Sequence, residues 1–154
     1  FLYDALYKSP LASNVRAVTA VSFLLITAYV FAMQNLGGFE YRAVNIHLGA
    51  LFGTNMAFNV WFRIWPAQQK IITSIKNGEA PDGSLLALAG LRSKHNTYMS
   101  VPLVWTMHNQ HHVTAPTALG IPGEFSWVLP MVMVILGWHI VWQLYKKSAS
   151  IKGF

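Results

Sequence analysis

The sequence predicts an all-α integral membrane bundle of about four transmembrane helices, on three observations. The 154 residues are 54% hydrophobic and only 10% charged, against about a quarter charged in an ordinary soluble domain. The apolar residues gather into long runs, and a run of roughly 20 crosses a hydrocarbon core about 30 Å thick. The basic residues flank those runs on alternate sides, as cytoplasmic anchors do.

Residues 1–9 read as the end of a helix that Ser9-Pro10 breaks. The first span is about 16–36, centred on AVTAVSFLLITAYVFAM and punctuated by Asn35, Gly37 and Gly38. The second is about 43–65; it is long enough to cross but contains Asn45, His47, Asn55 and Asn59, and Pro66 should end it. Residues 66–96 form a polar, basic cytoplasmic loop with a turn at Ala80-Pro81-Asp82-Gly83. Within it Ile71, Ile72 and Ile75 mark a short amphipathic helix at the membrane surface. The third span, about 97–114, is the weakest, with Pro102 inside it and a polar histidine cluster at its far end. The fourth is about 125–145, followed by Lys146, Lys147 and Lys152.

Charge placement requires the third crossing. With four spans, Lys8, Arg16, Lys70, Lys76, Arg92, Lys94 and the C-terminal lysines all lie inside, and the 113–124 turn outside has no Lys or Arg. Three spans would put either the basic loop or the C-terminal lysines outside. The reading is a multi-pass protein of a bacterial inner membrane, both ends of this segment cytoplasmic. The formal charge of +6 forms no stripe interleaved with aromatics, so membrane lipid is the expected partner and nucleic acid is not. Cysteine is absent, which excludes disulfides, Cys-ligated zinc, iron–sulfur clusters and CxxCH haem attachment in this chain. The start, FLYDALYKSP, has no initiator Met and no signal peptide features; it reads as the continuation of a longer membrane domain.

Chemistry within the spans falls to the six histidines, because none of the five acidic residues sits at a span centre. That also counts against a transporter, which needs an acid to couple protons or sodium. His47 lies near the outer end of the second span, and His108, His111 and His112 at the outer end of the third. His95 lies at the inner start of the third, and His139 about fourteen residues, or roughly 21 Å, into the fourth from outside. Imidazoles from different helices at matched depth are what bis-imidazole haem b needs. Two other readings stay open: a copper or zinc site at His108, His111 and His112, whose spacing puts two rings on one helical face, and histidines that only hydrogen-bond between helices. Asn55 and Asn59 share a face and need partners in hydrocarbon. Gly49 and Gly53 form a G-x-x-x-G that reads as close helix packing, and the tryptophans read mostly as an interfacial belt.

Two long stretches are more specific: IHLGALFGTNMAFNVWFRIWPAQQKII (46–72) and RSKHNTYMSVPLVWTMHNQHH (92–112). With the weaker YDALYKSPL (3–11), and in this order, they resemble the membrane domain of the cytochrome-linked urate oxidase (urate hydroxylase) family over roughly residues 1–145. The resemblance implies the later half of a polytopic membrane domain, in a family that often carries a C-terminal cytochrome c domain. It implies family histidines at His47, His95 and His111, with a further one corresponding to His139, and family positions at Asn59, Asn96, Pro66 and Gln68. Asn109, Gln110, His111 and His112 stand where the family usually reads Ser-Asn-His-Tyr, and His108 occupies an aliphatic position. That departure opens the substrate to molecules other than urate.

The leading expectation is therefore an oxidoreductase membrane domain passing electrons through haem b to a c-type cytochrome. His47 and His111 are its outer axial ligands, His95 and His139 its inner ones, and Asn55, Asn59 and Asn96 support them from behind. The rival is a non-catalytic accessory transmembrane subunit of a larger respiratory or photosynthetic complex.

Overall fold

The computed structural model describes residues 2–151, all-helical and without strands among them; Lys152 lies outside the described residues. Among the described residues seven α-helices run in order: α1 (Leu2–Leu6), α2 (Val15–Asn35), α3 (Tyr41–Asn59), α4 (Trp65–Lys76), α5 (Gly83–Asn109), α6 (Ala115–Ala118) and α7 (Val128–Ser148). The Asn14 side chain accepts from the Ala17 N–H and starts α2, filling one of the orphan donors of a helix N-terminus. Asp82 does the same for Ser84 at the start of α5.

Two helical segments, Val15–Asn35 and Gly123–Ser148, are long and apolar enough to cross a membrane, with mean hydropathies of 1.9 and 1.7. These are the first and fourth expected spans, the fourth helix beginning at 128 rather than 125.

The middle of the chain departs from expectation. Pro66 does not end the second helix. A π-helical turn, Val60–Ile64, joins α3 to α4 without a break. In an α-helix the Phe62 carbonyl would accept from residue 66, and Pro66 has no N–H to give. The wider turn sends the Trp65 N–H to the Val60 carbonyl instead, and Arg63 Nη1 donates to the Phe62 carbonyl at 3.1 Å. The expected 66–96 loop is mostly helix, broken only at 77–82, where Gly78 takes φ +75°. The surface helix expected from Ile71, Ile72 and Ile75 is α4, which packs on α5 with Ala67 buried and Ile71 half-buried and leaves Ile72 and Ile75 exposed.

The third expected span, 97–114, is the latter part of a single 27-residue helix that begins at Gly83 and stops at Asn109. Pro102 is held inside it because the ring fills the space left by Gly137 of α7: a Cβ on Gly137 would stand 3.1 Å from Pro102 Cδ. Gly49 plays the same part between α3 and α5, where a Cβ would stand 2.6 Å from Thr106 Oγ1. Gly53 faces open space. Only half of the G-x-x-x-G is a packing device.

The core is Val30, Val44, Leu48, Phe52, Met99, Met131 and Val134, from α2, α3, α5 and α7. α5 is the central helix, contacted by α3, α4, the π turn and α7. Several polar side chains share the interior with this apolar core and large apolar ones face outward: Asn45, Asn59, Arg92 and Thr106 are at most 2% exposed, whereas Leu24, Trp61, Val104 and Leu144 are 60% exposed or more.

Candidate functional site

The densest polar cluster lies where α1 meets α3, the π turn and α5. Asp4 is its hub. Arg63, carried on the π turn, holds it with both ends of its fork: Nε donates to Oδ1 at 2.9 Å, and Nη2 donates to Oδ2. Arg92 Nη2 donates to Oδ1 at 3.0 Å, and Lys8 pairs with Oδ2 at 3.0 Å. The Arg63 hydrogen bonds above all, with Lys8 and the charge of Arg92, hold the Asp4 carboxyl well below the usual carboxylate range against the opposing effect of burial. Arg92 is 2% exposed, its guanidinium 5.2 Å from the Tyr3 ring and 5.8 Å from the Tyr7 ring, an arrangement in which ring quadrupoles partly replace lost water.

Beside it runs a directed hydrogen-bond chain. The Asn59 amide nitrogen donates to Asn96 Oδ1 at 2.8 Å and to the Tyr3 hydroxyl oxygen at 3.0 Å, and Asn96 in turn donates to the Met56 carbonyl. The Tyr3 hydroxyl also meets His95 Nδ1, 2.7 Å away. The Tyr7 ring closes over His95 at 4.3 Å. Burial, and then the charges of Arg92 and Lys94, push His95 down to about 4, so the ring is neutral at neutral pH.

Of the asparagines expected to support a site, Asn59 and Asn96 come together here. Asn55 stands apart, half-buried and without a hydrogen bond among the described residues. Tyr3, Asp4, Tyr7, Arg63 and Arg92 were not expected from the sequence to form a site. An arginine inside an apolar run (Arg63) and an acid beside the first break (Asp4) were the available signals.

The other histidines are exposed: His47 on α3, His108 on α5, His111 and His112 in the turn that follows, and His139 on α7. His47 is anchored, Nδ1 donating to the Ala43 carbonyl at 2.8 Å, with the ring 5.1 Å from Phe39. His108 and His112 come together, ring centroids 5.4 Å apart. The Gln143 amide contacts His139 Nε2 at 3.2 Å. Among the described residues no three His, Asp or Glu side chains gather to hold a metal ion.

How this donor set fits haem differs from residue to residue. A ligating histidine commonly gives one ring N–H to a carbonyl and turns the other nitrogen to the metal, and His47 has that arrangement, with Nε2 free. Tyr3 occupies Nδ1 of His95, and Gln143 contacts Nε2 of His139. Gly49 against Thr106 and Gly137 against Pro102 close the α3–α5 and α5–α7 interfaces. A macrocycle therefore fits the outward face of α3 beside His47 better than the space among these helices.

The model of the urate oxidase N-terminal family matches residues 1–152. The chain belongs to the urate oxidase N-terminal family. No curated protein and no solved structure matches it. The family match runs through α1, the π turn and α5, so the Asp4 cluster lies wholly inside it.

Proposed function

We propose that the chain is the membrane-embedded part of a urate oxidase-like oxidoreductase that passes electrons from a reduced substrate through haem b towards a c-type cytochrome. The family match over residues 1–152 is the observation that carries this reading. Multi-pass membrane insertion is supported by the two long apolar helices and by the large apolar side chains that face outward. A cation such as Arg92 is costly in hydrocarbon unless it is paired within a bundle, and exposed leucines and tryptophans cost nothing there. The expected orientation, with Lys70, Lys76 and Lys94 on the cytoplasmic side, follows the distribution of basic residues.

In this reading His47 holds the iron from the outer half of α3, with His111 as its expected partner. Haem b, when bound, supplies a one-electron carrier between substrate and cytochrome. The chain's own residues do the rest. The Ala43 carbonyl fixes the His47 tautomer, and the Asp4 cluster ties α1 to α3 and α5 so that the helices keep their register. His95, whose Nδ1 meets the Tyr3 hydroxyl, and His139, in contact with Gln143, are the weaker candidates for the inner pair.

The test is a reduced-minus-oxidised optical spectrum of the full-length protein purified in detergent. A b-type α-band that His47→Ala removes, while His139→Ala keeps it, is the expected outcome. A colourless protein that purifies with other membrane subunits would instead favour the accessory role.

A further inference from the structure

Of the three clustered histidines at the end of α5, the fold pairs two, His108 and His112, and neither belongs to the Asp4 cluster or to the haem reading. His108 stands in the last turn of α5 and His112 three residues past its end, and both are exposed. The chain folds back between them. The His111 N–H donates to the His108 carbonyl at 3.3 Å, and the His112 N–H donates to the Asn109 carbonyl at 2.9 Å. The buried Asn109 side chain is tied to the Tyr41 hydroxyl of α3, which fixes the base of this turn. The rings of His108 and His112 are thereby brought to 5.4 Å between centroids, inclined at 41°. Among the described residues neither ring makes a hydrogen bond or an ion pair, so their nitrogens are open to a partner from outside the chain. The His111 ring, although adjacent in sequence, makes no ring contact with either among the described residues.

The spacing is that of chelation. An ion about 2 Å from one nitrogen of each ring stands about 3.2 Å from each centroid, so angles of about 90–120° at the ion put the centroids about 4.5–5.5 Å apart. The observed 5.4 Å falls inside that interval. Two protein ligands are too few for structural zinc, which takes four. Among the described residues no carboxylate or further histidine gathers with them, and a purely imidazole donor set disfavours calcium and magnesium, which take oxygen ligands. What it suits is a late first-row divalent ion that accepts imidazole nitrogen and fills its other positions with water, and copper(II) heads that order of affinity.

We infer that His108 and His112 form an exchangeable two-histidine site for a divalent transition-metal ion of the copper(II) class. The site goes beyond the proposed oxidoreductase reading and stands without it, because it rests on the geometry of the two rings. With its remaining positions held by water, the ion enters and leaves readily. While bound, it staples the turn at 110–112 to the last turn of α5.

The experiment starts from full-length protein in detergent, stripped of loosely held metal by dialysis against EDTA. It is titrated with copper(II) chloride, the affinity being read by equilibrium dialysis and the ligands by electron paramagnetic resonance. One equivalent should bind at least tenfold more tightly than to His108→Ala or to His112→Ala, with splitting from two imidazole nitrogens. His111→Ala should keep that affinity, and zinc(II) chloride should bind at least tenfold more weakly than copper. Both substituted side chains of the pair are exposed, so the variants should unfold in SDS at the midpoint of the unsubstituted protein when no metal is present. Copper affinity that His108→Ala and His112→Ala leave unchanged, a spectrum with a single nitrogen ligand, a loss in His111→Ala as large as in His108→Ala, or equal affinity for zinc overturns the inference.

Discussion

Replacing Gly49 by alanine should destabilise the bundle, while the same change at Gly53 should not, although the two glycines sit one turn apart in a single motif. A Cβ at position 49 would lie 2.6 Å from Thr106 Oγ1 and 3.5 Å from Thr106 Cβ, where ordinary contact begins at 3.4 Å. The hydroxyl must therefore yield by about 0.8 Å. Thr106 is 2% exposed and its Oγ1 donates to the Leu103 carbonyl at 2.7 Å, so the shift sacrifices a bond worth about 1 kcal/mol. Forcing a methyl into a closed interface costs about 1–3 kcal/mol in all, and the better helix propensity of alanine returns up to about 1 kcal/mol. The net expectation is a loss of about 1–2 kcal/mol for Gly49→Ala and a gain of up to about 1 kcal/mol for Gly53→Ala, where nothing lies within 4 Å. Unfolding in detergent titrated with SDS, followed by helical circular dichroism, measures both. Adding Thr106→Ala should recover part of the Gly49→Ala loss. Equal stability of the two alanine variants would refute the close approach of α3 and α5.

Asp4→Asn removes the anion that Arg63, Arg92 and Lys8 share, and should cost about 3 kcal/mol or more in the same titration, because Arg92 is left buried without its carboxylate. The Asp4 carboxyl is depressed in the folded chain, so its stabilisation is complete above the unfolded value of about 4 and is lost as the pH falls below it. The acid limb of a pH–stability curve should shrink in Asp4→Asn. His95 is a base held neutral, and the unfolded chain takes up its proton from about pH 6.5 downward while the folded chain resists to about 4. Stability should therefore fall between pH 6.5 and 4, at up to about 1.4 kcal/mol per unit, and His95→Gln should flatten that window. Gly137→Ala meets the rigid Pro102 ring at 3.1 and 3.2 Å and should lower stability by about 1 kcal/mol; a neutral result would mean that α5 and α7 separate more easily than their packing implies.

Helices α2 and α7 were legible because uninterrupted apolar runs identify themselves by length and composition alone. Their observed bounds, Val15–Asn35 and Val128–Ser148, lie within three residues of the expected ends. The middle of the chain was harder because its polar residues carry two meanings. Arg92 and Lys94 look like loop anchors in one dimension, yet Arg92 is among the most buried large side chains in the protein. Pro66 looks like a terminator, and the Arg63 side chain supplies the hydrogen bond that the proline cannot.

What the sequence determined by itself was therefore the class: helices throughout, apolar outward faces, and polar chemistry confined to a few side chains of the central segments. Which of those side chains meet was a tertiary decision. Asp4 and Arg92 are 88 residues apart, and Tyr3 and His95 are 92. Nothing in local periodicity encodes such separations. They are selected because, once a helix packs away from water, each charge and each hydrogen-bonding atom on its inner face must find its complement on another helix.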